Sequence, residues 1–123
     1  MDLLTIDSLQ EYLKIGKSTL YRLIKHDRDF PSPVWIGERR RYRKADINRW
    51  IYQQKQQLPD PLPMEIDLLD SSAARDVLNI SYATFHRLTK EDRSFPTPLL
   101  IAGKKLFDKI DITNWLTLQG LKK

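Results

Sequence analysis

Three observations predict a mainly α chain with small β-hairpin wings, built as two tandem modules. Shifted by about 65 residues, the sequence lies on itself without a gap, with roughly 19 of 50 positions identical. Within each copy, apolar residues recur at helical spacing in three short stretches. Between the second and third stretch, a Pro-x-Pro break precedes two short runs separated by a glycine-containing turn. The repeat overrides the single-domain expectation that 123 residues alone suggest. It divides the chain into a first module at 1–55, a Pro-rich linker at 56–65 and a second module at 66–123. Units this small bury only about 60% of their unfolded surface, so each depends on a few large apolar anchors. Trp50 and Trp115, matched between copies, fit that role.

Taken in order, each copy opens on a short apolar stretch, Leu3-Leu4 matching Leu68-Leu69. Asp7 with Gln10 three residues on suggests a capping box, and Ser72 holds the same place in the second copy. Leu9, Tyr12 and Leu13 give the inward face of a first helix, matched by Ala74, Val77 and Leu78. A tight turn follows, with Gly16 and Ser81 as caps for a second helix over 17–25 and 82–90. Leu20, Leu23 and Ile24 form its inward side. Two short helices joined by three or four residues make a helix-turn-helix unit.

Phe30-Pro31-Ser32-Pro33 and Phe95-Pro96-Thr97-Pro98 forbid further helix, because proline lacks the amide and clashes with the preceding turn. Val34, Trp35 and Ile36 then read as a strand, Gly37-Glu38-Arg39 as a turn and Arg41-Tyr42-Arg43 as the return strand. The second copy offers 99–101, Ala102-Gly103-Lys104 and 106–108. Such a hairpin behind a helix-turn-helix is a wing. The third helix begins near Lys44, with Asp46 in its first turn, where the helix dipole favours an anion. Ile47, Trp50 and Ile51 are its buried face, matched by Ile112, Trp115 and Leu116. Gln53 to Gln57 are expected to extend it.

Charge narrows the partner. The net charge is +5, with a sequence pI near 9.5. Residues 1–54 carry 11 Lys/Arg against 7 Asp/Glu, residues 66–123 carry 9 against 7, and residues 55–65 carry 1 against 2. This excess suits a polyanion and favours the first copy as the stronger phosphate binder. The absence of cysteine excludes disulfides and thiolate metal sites. No apolar run approaches a membrane span, and no signal-peptide pattern is present at the start. A cytoplasmic protein with no membrane partner is expected.

The second helix carries the chemistry. With its leucines inward, spacing places Lys17, Ser18, Tyr21, Arg22 and Lys25 outward, beside Thr19. A helix that reads duplex DNA needs this mixture: short polar residues near its start, long cations for guanine edges and cations for phosphates. An ordinary solvated face would look similar, but Thr19/Thr84, Arg22/Arg87 and Lys25/Lys90 are retained between copies while neighbouring pairs diverge. The candidates in the second copy are therefore Tyr82, Thr84, His86, Arg87 and Lys90.

On the wing, alternation sends Arg39, Arg41 and Arg43 to one face and Arg40 and Tyr42 to the other. Such a tip suits a minor groove or phosphates, although arginines also keep an exposed edge strand from pairing. The second wing keeps Lys104 and Lys105 but has Leu106 and Asp108 where the first has Arg41 and Arg43, so it is expected to be weaker. His26 and His86 do not correspond and have no carboxylate cluster, which argues against metal or acid–base roles. No catalytic motif and no cofactor-binding motif is present, so neither an enzyme nor a cofactor is expected. Trp35 has only Leu100 opposite it in the second copy, which leaves an exposed role open.

Each copy resembles the small winged helix-turn-helix proteins of the AlpA and excisionase type, relatives of the MerR DNA-binding domain. The matching residues are 16–25, Phe30-Pro31-Ser32-Pro33-Val34, Gly37, Arg43, Asp46-Ile47 and Trp50. In the second copy they are Ser81, Thr84, Phe85, Arg87, Leu88, Phe95-Pro96-Thr97-Pro98 and Trp115. The resemblance implies sequence-specific binding of double-stranded DNA, with the second helix in the major groove and the wing on the backbone or minor groove. It implies a transcription regulator or a recombination directionality factor of a phage or mobile element. Partners would then include an integrase or the transcription machinery, in a prokaryotic nucleoid setting. Family members usually carry one copy, whereas this chain carries two.

The linker Leu58-Pro59-Asp60-Pro61-Leu62-Pro63 reads as extended. About 11 such residues at ~3.1 Å each span at most roughly 34 Å, close to one turn of B-DNA. Two adjacent subsites in direct or asymmetric arrangement are expected. A competing reading makes the second copy a protein-interaction adaptor, with Tyr82, Phe85, Leu106 and Asp108 as its surface. A third, single-strand binding, rests on Trp35 and Tyr42.

Overall fold

The computed structural model describes residues 3–56 and 59–121. Its elements are β1 (Leu3–Leu4), α1 (Ile6–Leu13), α2 (Lys17–His26), β2 (Val34–Ile36), β3 (Arg39–Arg43), α3 (Lys44–Gln54), β4 (Leu68–Leu69), α4 (Ser71–Leu78), α5 (Tyr82–Glu91), β5 (Leu99–Ile101), β6 (Lys104–Asp108) and α6 (Lys109–Leu121). Two compact units emerge: one runs to Ile66 and includes Ile101–Lys104, and the other comprises Asp67–Leu100 and the residues from Lys105 onward. The described residues form six helices and two small three-stranded sheets, ordered β1-β3-β2 and β4-β6-β5. The architecture is therefore mixed α/β. The expected hairpins each gain a third strand, because Leu3 pairs with Arg43 and Leu4 with Tyr42, as Leu68 pairs with Asp108 and Leu69 with Phe107. A two-residue strand carries no alternation by which a sequence could announce it.

The helix starts shift by two residues from expectation. Thr5, not Asp7, caps α1, its hydroxyl accepting from the Ser8 amide at 3.0 Å. Asp70, not Ser72, caps α4, accepting from the Ala73 amide at 2.8 Å. Asp7 instead sits in the first turn of α1, where the dipole favours its charge. Gly16 and Ser81 are the caps of α2 and α5 as expected. Both turns between paired helices are made by one left-handed residue, Lys14 (φ 57°) in the first unit and Asn79 (φ 53°) in the second. Helix α3 stops at Gln54, and Gln56 adopts φ 56°, so the extension through Gln57 fails. Gln57 itself lies outside the described residues.

Each core is built on one aromatic trio. Phe30 meets Tyr42 at 5.9 Å and Trp50 at 5.0 Å, both edge-on. Phe95 meets Phe107 at 6.1 Å and Trp115 at 4.9 Å in the same manner. Trp50 and Trp115 are the anchors the sequence suggests. Leu9, Leu13, Leu20 and Ile47 complete the first core; Leu69, Ala74, Phe85 and Ile112 complete the second. Two expected core positions of the second unit are exposed instead, Val77 and Leu116. Leu116 is 46% exposed, whereas its counterpart Ile51 is fully buried.

The reason lies on one flank of the third helix. In the first unit Asn48 donates to the carbonyls of Pro63 (3.2 Å) and Met64 (3.1 Å) and accepts from the Tyr12 hydroxyl. That hydroxyl accepts in turn from the Ile66 amide at 2.8 Å. Lys44 pairs with Glu65 at the same end. Residues 63–66 are thus clasped onto the first unit and do not span free solvent as a spacer. The second unit has Val77 and Thr113 at the clasp positions, and the Thr113 hydroxyl donates to its own helix at the Ile110 carbonyl.

Candidate nucleic-acid interface

Helix α2 presents its polar side as the spacing requires. Leu20 and Leu23 are buried, Ile24 is half-buried, and Lys17, Ser18, Tyr21, Arg22 and Lys25 are exposed. Thr19 is half-buried. Lys17 lies 3.6 Å from Asp7, an exposed pair worth little in water, so its cation stays available to an external anion. Lys25 and His26 fall in the last turn, where the helix dipole favours cations.

The β2–β3 hairpin turns through Gly37 and Glu38, with Ile36 opposite Arg39 and Gly37 at φ 63°. The return strand starts at Arg39, two residues earlier than expected, because that register pairs all three residues of β2. Alternation then places the cations as the period-2 rule dictates. Tyr42 turns inward and is fully buried. Arg40, on the same face, lies over the Tyr21 ring at 5.6 Å. Arg39 and Arg43 are exposed, and Arg41, half-buried, donates to the Arg40 carbonyl at 2.8 Å. The Arg40–Tyr21 contact joins hairpin to helix, so Arg40 continues the basic side of α2, while Arg39, Arg41 and Arg43 alternate to the other face of the hairpin. A separate groove of about 420 Å³ is lined by Arg43 with Asp46 and Arg49 of α3. Burial raises the Tyr42 phenol above its ordinary 10.0, partly offset by the nearby Arg40 cation.

The corresponding face of the second unit differs in kind. Tyr82 is 63% exposed, with its ring stacked on His86 at 5.7 Å and the Arg75 guanidinium over the same ring at 5.4 Å. Arg87 and Lys90 are exposed, as is Lys105 on the hairpin; Lys104, which falls with the first unit, is exposed too. Thr84 is half-buried and has a structural job: its amide and hydroxyl both bond the Ser81 hydroxyl, at 3.2 and 3.1 Å. Leu106 and Asp108, at the places of Arg41 and Arg43, are buried, as is Phe85. Of the four residues behind the adaptor reading, only Tyr82 is on the surface.

Sequence reasoning missed Arg75 and the Asn48–Tyr12 clasp. Arg75 takes the place of a capping glutamine in the alignment and so reads as a failed cap. Asn48 stands directly beside the buried-face residue Ile47 and one turn before Ile51 and Tyr52, and that neighbourhood was the available signal. Among the described residues, no helix is long and apolar enough to cross a membrane. No curated protein and no solved structure matches the chain. Residues 3–55 match the family model of a helix-turn-helix domain, which supports a DNA-binding regulatory role for the first unit.

Proposed function

We propose that the chain is a sequence-specific double-stranded DNA-binding protein made of two tandem winged helix-turn-helix modules of the AlpA/excisionase, MerR-like type. It acts as a transcription regulator or a recombination directionality factor, with an integrase or the transcription machinery as its further partner. Helix α2 enters the major groove, and the Arg39–Arg43 hairpin holds the flanking backbone. Helix α5 reads a second, adjacent subsite through His86 and Arg87. The observation that carries the reading is the continuous basic face of the first unit. There Lys17, Arg22 and Lys25 stand exposed on α2, and Arg40 ties the arginine hairpin to that helix through Tyr21. The shared element order and aromatic trio of the two units support the tandem.

The test is fluorescence anisotropy at ~150 mM salt, near physiological screening, with duplexes selected from a randomised pool. Selected duplex binds far tighter than unselected duplex, and affinity falls steeply with salt. A complex neutralising ~6 phosphates gives a slope near −5 in log K against log salt. Equal, weak binding to every duplex defeats the site-specific reading, and a flat salt response defeats the DNA reading altogether.

A further inference from the structure

Trp35 is 62% exposed, whereas the other two tryptophans are 2% and 9% exposed. Its position is not incidental. In the β2–β3 ladder Trp35 lies directly opposite Arg40, and directly opposed residues project from the same face of a sheet. That face is fixed by Tyr42, two residues from Arg40, which points into the core. Farther out the same face passes the core edge, and there Arg40 covers the Tyr21 ring of α2. Trp35, Arg40 and Tyr21 therefore form one line, aromatic–cation–aromatic, on the α2-facing side of the hairpin. Ile36 and Arg39 point the other way.

We infer that this line is a binding surface for the sugar–phosphate backbone of one strand of duplex DNA, with Trp35 as a contact residue. The inference rests on the DNA-binding reading above and adds to it a contact residue outside the arginine run. A guanidinium offers a planar fork that matches phosphate oxygens. An indole offers an apolar plate for a deoxyribose face and a single N–H donor for a phosphate oxygen. The arrangement is held before any ligand arrives, because cross-strand pairing fixes Trp35 and the Tyr21 ring supports Arg40. Charge complementarity on this face comes from Arg40 itself and from the exposed Lys17, Arg22 and Lys25 of α2. In the second unit the same positions hold Leu100, Lys105 and His86, which lack both the indole and the fork, so its backbone contact is weaker.

The experiment uses the full chain and acrylamide quenching of tryptophan fluorescence, which in the free protein reports Trp35. Saturating duplex, with saturation read independently by anisotropy of a labelled strand, lowers the quenching to that of the buried Trp50 and Trp115. Trp35→Ala weakens selected and random duplex in the same proportion, about five- to ten-fold, because backbone contacts carry no sequence information. Trp35→Phe retains most of the affinity. Because the side chain is exposed, circular dichroism of both variants matches the parent. If duplex binds but Trp35 stays quenchable, or Trp35→Ala changes neither affinity, the inference is overturned while the DNA reading stands. Loss confined to selected duplex overturns the backbone assignment in favour of base reading. Loss of self-association in sedimentation, with DNA affinity unchanged, assigns the face to a second copy instead. Absence of any duplex binding defeats both readings.

Discussion

The two units solve one packing problem with different residues, and the differences separate what the module needs from what each copy adds. Both share the aromatic trio, the capped helix pair and the hairpin. The first adds a clasp of Asn48 and Tyr12 over residues 63–66 and an arginine hairpin resting on α2. The second drops both, buries Leu106 and Asp108 in the hairpin, and replaces a lysine and a tyrosine on its helix by the stacked Tyr82–His86 pair. A polar clasp and a cationic hairpin are therefore additions to the module, not conditions for its core.

The largest effect is expected at the clasp. Asn48→Ala takes the side-chain donor from two carbonyls and the acceptor from the Tyr12 hydroxyl, each lost bond costing about 1–3 kcal/mol where buried. We expect destabilisation of roughly 3 kcal/mol in urea unfolding, whereas Thr113→Ala at the matching site costs under about 1 kcal/mol. Equal effects would erase the contrast between the units. Next in size is DNA affinity: Arg22→Ala and Arg87→Ala each cost about 1–3 kcal/mol on selected duplex if both helices read bases, and only the first does so if reading is confined to one unit.

Two substitutions exchange residues between copies. The Tyr42 hydroxyl is buried without a hydrogen-bond partner among the described residues, and the second unit uses Phe107 there. Tyr42→Phe is expected to stabilise by about 1 kcal/mol. It also flattens the alkaline limb. The folded phenol titrates above its ordinary 10.0, so the folded state keeps a proton that the unfolded state releases. Stability is intact below that value and falls as pH rises through the folded value. Stability curves from pH 8 to 11 compare the two proteins directly. Likewise Trp50 Nε1 has no partner among the described residues, whereas Trp115 Nε1 donates to the Ser94 hydroxyl at 3.1 Å. Ser94 aligns with Asp29, and its hydroxyl is held by Asp92, the counterpart of Asp27, so Asp29→Ser places an oriented hydroxyl for Trp50 Nε1 and raises the melting temperature, for about 0.5–1.5 kcal/mol.

The smallest effects are in the backbone. Ala102 holds φ 52° in the second hairpin, where the first has Gly37 at φ 63°. Ala102→Gly relieves a left-handed conformation that costs a side-chain-bearing residue about 1 kcal/mol. Because glycine also loses more chain entropy on folding, a net gain of a few tenths of a kcal/mol is expected in denaturant titration.

These contrasts also show what a sequence makes visible. The helices and cores were legible because leucine and tryptophan spacing states which face is inward, and the internal repeat states it twice. The basic side of α2 was legible for the same reason, as the remainder of that pattern. Helix starts were misplaced because Thr5, Asp7, Asp70 and Ser72 are all competent caps, and tertiary position chooses between them. The clasp was hidden because prolines read as an extended spacer, while Asn48 gives no sign that carbonyls fifteen residues away will meet it. Val77 and Leu116 were assigned to the core by correspondence with Tyr12 and Ile51. Correspondence transfers the residue but not its exposure: Ile51 is fully buried and Leu116 is not.

The central claim is that both units are duplex DNA readers with unequal grips. Hydroxyl-radical footprinting of the selected duplex tests it most directly, with the parent chain beside Arg22→Ala and Arg87→Ala. The account predicts two separate protected patches, the stronger lost in Arg22→Ala and the weaker in Arg87→Ala. A single patch that is indifferent to Arg87→Ala would contradict it.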